Sequence, residues 1–226
     1  NLITHQLLTM AGGRLYYSTD LGVVACLDPL NGQIEWLQRY QRIQDVKQNY
    51  PRPDRFKYRD LTPCMVAGGL VYCLPRDCPE LFALDATSGE LVWATDDVSA
   101  ADAIHMLGVC GDSLIVSGDR LVWLDRLTGR QLLAYPGATT PGTVNALPSP
   151  RGLGRGVISD AEVYWPVAGE VLVFAGDMSE HDPSQPVMLR HRYRVTSGGS
   201  EGGNLMVADG YLIYCSPSRI MAFAGQ

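Results

Sequence analysis

One short phrase of residues is written three times in this chain: Leu27-Asp28 ahead of Asn31-Gly32 and Trp36, Leu84-Asp85 ahead of Ser88-Gly89 and Trp93, and Leu124-Asp125 ahead of Thr128-Gly129. Each copy is preceded by a two-residue turn (Gly12-Gly13, Gly68-Gly69, Gly111-Asp112) and then by an apolar run such as Leu15-Tyr16-Tyr17 or Leu70-Val71-Tyr72. The unit reads as a four-stranded antiparallel meander. Four strands in about 40 residues, repeated, is the pattern of a β-propeller. Asp85 and Asp125 are 40 residues apart and Asp28 and Asp85 are 57 apart, which leaves one extra loop of 17 residues inside a regular array.

Two weaker copies follow, Val171–Asp177 and Ile220–Gly225, with Ala175 and Ala224 where the aspartate stood. The expectation is therefore an all-β chain, a propeller of about five four-stranded blades. The units lie at about 4–40, 60–97, 103–136, 151–196 and 201–226, with an insertion at 41–59 and the fifth unit stopping before its outermost strand. These units are read as one propeller domain or segment, an open arc or a partial ring, and the free strand edges of an arc are expected to meet another copy of the chain in edge-mediated self-association. Within a unit the Asp accepts backbone N–H groups of the turn after it, the Gly supplies positive φ, and the Trp fills the gap between blades.

The pattern from Leu15 to Trp36, and more closely Leu81 to Trp93, resembles the blade repeat of the PQQ-binding-like propellers, also called quinoprotein alcohol dehydrogenase-like. The resemblance implies one of two kinds of protein. PQQ- and calcium-dependent dehydrogenases carry the repeat, and so do BamB-like scaffolds, which bind no cofactor. It also implies export to the cell envelope or periplasm. The adjacent-cysteine disulfide typical of the dehydrogenases is absent, and Trp36 and Trp93 occupy repeat positions. Only Trp123 and Trp165 remain as spare rings to stack on a cofactor.

Composition separates this chain from disordered or fibrous ones, since 46% of its residues are hydrophobic and only 19% are charged. No apolar run approaches the roughly 20 residues of a membrane span. A net charge of −6 argues against nucleic acid as a partner. The chain opens on Asn1 rather than Met and is read as a piece of a longer protein. Locally the charge reverses. From Arg39 to Asp60 seven Lys or Arg face three Asp, with Tyr40, Tyr50, Phe56 and Tyr58 interleaved. Arg52, Arg55, Arg59 and Asp60 in this insertion suit an anionic or glycan-like ligand, through charge-assisted hydrogen bonds and ring stacking. The competing reading is a lid tied down by its aromatics.

A second candidate region is the end of the innermost strands. Aligned on their turns, Thr4, Asp60, Ala103, Arg151 and Glu201 fall at one level, with Gln6, Thr62 and His105 two residues deeper. Arg155 and Asn204 lie nearby in glycine-rich stretches that lack the strand-to-helix step of a phosphate loop. The six cysteines show no metal-site spacing, although Cys73 and Cys78 flank one turn closely enough to bridge. Charges at Arg190, His191, Arg192 and Arg194 fit an outer edge strand guarded against edge pairing. No catalytic motif appears. The favoured reading is a non-catalytic scaffold or binding module for a protein or glycan-like ligand, with no cofactor and no metal; the alternative is a segment of a PQQ- and calcium-dependent dehydrogenase.

Overall fold

The computed structural model describes residues 7–43, 59, 62–95, 102–137, 149–179, 181–182, 184, 189–195 and 202–224. All of its regular elements are strands. The first sheet comprises β1 (Leu8–Ala11), β2 (Arg14–Ser18), β3 (Val23–Leu27) and β4 (Ile34–Arg39). The second comprises β5 (Met65–Ala67), β6 (Leu70–Cys73), β7 (Phe82–Asp85) and β8 (Leu91–Ala94). The third comprises β9 (His105–Cys110), β10 (Ser113–Ser117), β11 (Leu121–Asp125) and β12 (Gln131–Tyr135). The fourth comprises β13 (Val157–Ser159), β14 (Glu162–Val167), β15 (Glu170–Ala175) and β16 (His191–Arg194), and the fifth β17 (Asn204–Ala208), β18 (Tyr211–Cys215) and β19 (Ile220–Ala224). Each strand hydrogen-bonds only to its sequence neighbours, the topology of propeller blades. Five blades, the last with three described strands, agree with the repeat count.

The repeated phrase builds one turn three times over. Asp28, Asp85 and Asp125 donate their backbone N–H to the carbonyls of Gln33, Glu90 and Arg130 at 2.8–2.9 Å. The Asp85 carboxylate accepts the N–H groups of Thr87 and Ser88, both at 2.8 Å, and Asp28 Oδ1 accepts that of Leu30. These bonds from Ser88 and Thr87 hold the Asp85 carboxyl below its ordinary range. The ladder skips a residue at the same place in each of the first three blades, at Cys26/Leu27, Ala83/Leu84 and Trp123/Leu124. Such a bulge sharpens the local twist and aims the next strand.

The chain divides into two compact units: Asn1–Met106 with Leu127–Gly129, and Leu107–Arg126 with Arg130–Gln226. In the first, Tyr16, Val24, Cys26 and Trp36 of one blade share a core with Cys64, Val71, Cys73, Cys78, Phe82 and Leu84 of the next. Trp36 lies over Gly89 and Trp93 over Gly129, so each tryptophan caps the turn of the following blade. Trp36 Nε1 donates to Ala86 O at 3.2 Å, which satisfies its one polar atom. Tyr16 flanks Trp36 and Tyr72 flanks Trp93, each at a centroid distance of 6.0 Å.

The second unit has two cores. Ile115, Trp123, Val163, Trp165, Leu172 and Phe174 form one, and Val171, Val195, Leu205 and Tyr214 the other. Trp123 Nε1 donates to Ala175 O at 3.2 Å, repeating the indole-to-carbonyl contact of Trp36 with a tryptophan from a different strand. The outer strand β16 is exposed along its length, and its Arg192 and Arg194 pair with Glu170 on β15. This matches its reading as a guarded edge.

The repeat glycines carry two separate demands, and substitution separates them. Gly32, Gly89 and Gly129 share φ values of +71 to +75. A Cβ on Gly89 would sit 2.5 Å from the Trp36 ring, and one on Gly129 would strike Trp93, whereas no described atom lies within 4 Å at Gly32. Gly32→Ala therefore costs only the left-handed backbone strain, about 1–2 kcal/mol. Gly89→Ala and Gly129→Ala cost about 1–3 kcal/mol more through overpacking. Trp93→Ala costs about 3–5 kcal/mol. Urea unfolding of the four variants checks the ranking, and equal costs at the three glycines would refute the seat.

Candidate functional site

Arg59 is the one residue between 44 and 60 that the structure describes, and it is 1% exposed. Its Nε donates to Ala103 O at 2.8 Å, and its Nη1 donates to Cys78 O at 2.7 Å and Pro75 O at 3.4 Å. The guanidinium thus stitches the 75–78 turn to the chain entering β9. Burial of a cation is tolerable when its donors are satisfied in this way. This corrects the reading of Arg59 as a ligand-facing residue: its donors are turned inward onto backbone. Arg52, Arg55 and Asp60 lie outside the described residues.

The strand-end candidates are also engaged within the protein. Arg151 is exposed and its Nε pairs with Asp119 Oδ1 at 2.6 Å. Asn204 Oδ1 accepts the Arg155 N–H at 2.9 Å, while Arg155 O accepts the N–H of Leu205. Arg155 and Asn204 are therefore brought together, as a link between the approach to β13 and the start of β17. Partial burial lowers the Arg155 pKa from its ordinary value without removing its charge. His105 begins β9 half-buried, and next to it Thr62 Oγ1 donates to Ile104 O at 3.1 Å. Thr4, Gln6 and Glu201 lie outside the described residues.

The second unit holds a cleft of about 770 Å³ that the sequence reading did not anticipate. Met178 and Leu189 supply apolar lining, and Asp112, Asp177, Ser179, His181 and Arg190 the polar groups. Ser113 Oγ donates to Asp177 Oδ1 at 3.1 Å and accepts the Met178 N–H at 2.9 Å. Burial pushes the Asp177 carboxyl up, but bonds from Ser179, Ser113 and the Asp112 N–H outweigh it and hold the pKa below the ordinary value. Asp112 pairs with Arg126 and Arg190 with Glu162. The buried serine is thus a clasp between the β9–β10 turn and the segment after β15. Its 64-residue separation from Asp177 explains why no local pattern announced it.

With this geometry in place, the chain can be set beside known proteins. A sequence model of the family described as outer membrane protein assembly factor BamB matches residues 2–174. The chain belongs to that family. Comparison with individual curated proteins gives no match. Among solved structures, BamB from Moraxella catarrhalis is similar at a TM-score of 0.66 and 17% identity, over 98% of this chain and 58% of that one. A quinohemoprotein alcohol dehydrogenase from Comamonas testosteroni is similar at 0.63 and 14%, over 96% of this chain and 40% of that one. One from Pseudomonas putida HK5 is similar at 0.61 and 14%, over 96% and 39%. At such identities the likeness is one of fold, and this member of the BamB family spans well under two thirds of each of these structures. It is a PQQ-like β-propeller chain.

The family fold also raises the question of PQQ and calcium. Trp123 and Trp165, the two rings left to stack on a quinone, are both 0% exposed inside the blade core. Among the described residues no cluster of three or more His, Cys, Asp or Glu is arranged for a metal ion. The residues described do not fit that pair of groups.

Arg59 and Arg151 give opposite expectations on truncation. Arg59→Ala strips donors from buried carbonyls and leaves a cavity, a loss of about 2–4 kcal/mol. Arg151→Ala breaks an exposed pair and changes stability by less than about 1 kcal/mol. Thermal unfolding of the two variants distinguishes them, and an Arg59→Ala protein melting with the wild type would return Arg59 to the surface.

Proposed function

We propose that this chain is a non-catalytic scaffold module of the BamB type, which holds another polypeptide against the free face of its first blade. The observation that carries this reading is that face. In register, Leu8, Tyr17, Ala25 and Leu37 form one cross-strand row, and Met10, Leu15, Leu27 and Ile34 the next. Leu8, Met10, Ile34 and Leu37 are 56–67% exposed. The opposite face of the same sheet is packed in the shared core. Two adjacent apolar rows on a sheet suit a protein surface that can bury them, since apolar area removed from water drives association. A glycan draws no support from the described part of the basic run, where Arg59 is turned inward onto backbone and Tyr40 and Arg42 are both bonded to Asp77. By likeness to the assembly factor whose family it shares, the module acts in the cell envelope.

The dehydrogenase alternative shares the fold, but among the described residues both spare indoles are buried and no metal-binding cluster supports it. Titrating the chain with PQQ and calcium and following quinone absorbance should show no saturable binding. Saturation at micromolar PQQ would favour the alternative. A photocrosslinking residue at Leu37 in the protein at its natural length should give a covalent adduct with a polypeptide, and Met10→Asp should abolish it. An adduct unaffected by Met10→Asp, or none at all, would overturn the proposed face.

A further inference from the structure

The core of the first unit contains four of the six cysteines, Cys26, Cys64, Cys73 and Cys78. Two of them meet. In the β5–β6 ladder Met65 stands opposite Tyr72 and Ala67 opposite Leu70. One further step in that register sets Cys64 opposite Cys73. Their sulfurs are 3.7 Å apart, and both residues are buried. Directly opposed strand residues project to the same face with Cβ atoms about 4.5–5.5 Å apart, closest in pairs that do not share ladder hydrogen bonds. A disulfide takes about 3.5–4.5 Å, so closing the bond turns the two sulfurs together and draws the strand ends slightly closer.

We propose that Cys64 and Cys73 form a cross-strand disulfide when the protein matures in contact with an oxidant of the glutathione-disulfide class. One cysteine thiolate attacks the oxidant's S–S bond, giving a mixed disulfide and one glutathione thiolate. The second cysteine, as thiolate, then attacks the protein sulfur of that mixed disulfide and expels the second glutathione thiolate. The pair loses two electrons and two protons, and the oxidant is reduced to two thiols. Burial, followed by the hydrogen bond with Cys64, raises the Cys73 pKa well above the ordinary value, so the folded pair reacts slowly. The exchange therefore belongs to folding, while the blade is open, and the finished bond is shielded from reductants.

The turn sequence had pointed instead to Cys73 with Cys78. Cys78 is held elsewhere: its carbonyl accepts Arg59 Nη1, and burial pushes its thiol up to about 12. The Cys64 carbonyl accepts Thr9 Oγ1, which places the proposed bond where the first strands of two adjacent blades meet. Strand β5 is three residues long, a short ladder that a covalent tie would reinforce.

Trypsin makes the assignment decisive, because cleavage after Arg59 and Arg76 releases Cys64 and Cys73 on one peptide and leaves Cys78 on another. The chain, with Cys110→Ser and Cys215→Ser to remove the more accessible thiols, is refolded in a reduced/oxidised glutathione buffer, alkylated under denaturing conditions and digested. The expected product is a 60–76 peptide two hydrogens lighter that takes up no alkyl group. Its parent protein should melt about 3–8 °C above the reduced form. The same mapping on the unsubstituted chain guards against misfolding of the variant. A doubly alkylated 60–76 peptide, or a disulfide joining it to the Cys78 peptide, would overturn the assignment.

Discussion

An indole ring resting on a glycine is the contact on which the repeat depends. Trp36 over Gly89 and Trp93 over Gly129 require two unrelated properties of the same glycine. Its φ near +70 closes the turn after the Leu-Asp pair, and its bare Cα lets the ring of the preceding blade come to contact distance. Alanine fails on both grounds. Asparagine, which tolerates the left-handed region, would still fail on the second. The glycine is thus a turn residue within its own blade and a socket for its neighbour, which ties local conformation to the spacing between sheets.

Where the tryptophan is missing, other rings take over. In the third blade Leu133 stands four residues after Gly129, the place that Trp36 and Trp93 hold after Gly32 and Gly89. Trp123, from the third strand rather than the fourth, donates to Ala175 O instead, with Phe174 edge-on to its ring and Tyr135 against both Phe174 and Trp165. The indole-to-carbonyl bond survives while its source moves. This explains why the motif weakens after the third copy while the sheets continue: the area to be buried between blades is the same, but the side chains that bury it come from new positions.

Strand order, the three Asp-Gly turns and the charged outer strand were legible in the sequence because each is written within a few consecutive residues; the bulges beside those turns were not. A turn is read from Asp, Gly and their spacing, and an edge from Arg190, Arg192 and Arg194 in alternation. The candidate site was far less legible. Arg59 looked like one member of an exposed basic run, and only its bonds to the Ala103, Cys78 and Pro75 carbonyls, the first 44 residues away, show that it is a buried brace. The Asp177 cleft likewise joins residues that no periodicity connects, whereas the Cys64–Cys73 contact follows from the register of the hairpin about Gly68-Gly69. A hydrophobic alternation reports which face of a strand is buried, but not which polar side chain from another loop arrives to satisfy the backbone there.

These placements narrow what kind of function the blades can carry. Arg59, Arg155, Asn204, Ser113 and the indoles of Trp36 and Trp123 each make hydrogen bonds within the protein, and the bonds run mostly between one sheet and the next. A reacting group needs the reverse: a donor or base held by its neighbours yet aimed at an open space. What the first blade presents to solvent is two apolar rows on a sheet whose other face is fixed by Tyr16, Cys26 and Trp36. Such a face is rigid before it meets a partner, so little ordering cost attaches to covering it. Rigidity and exposed apolar area together are what the proposed association with a polypeptide requires of this face.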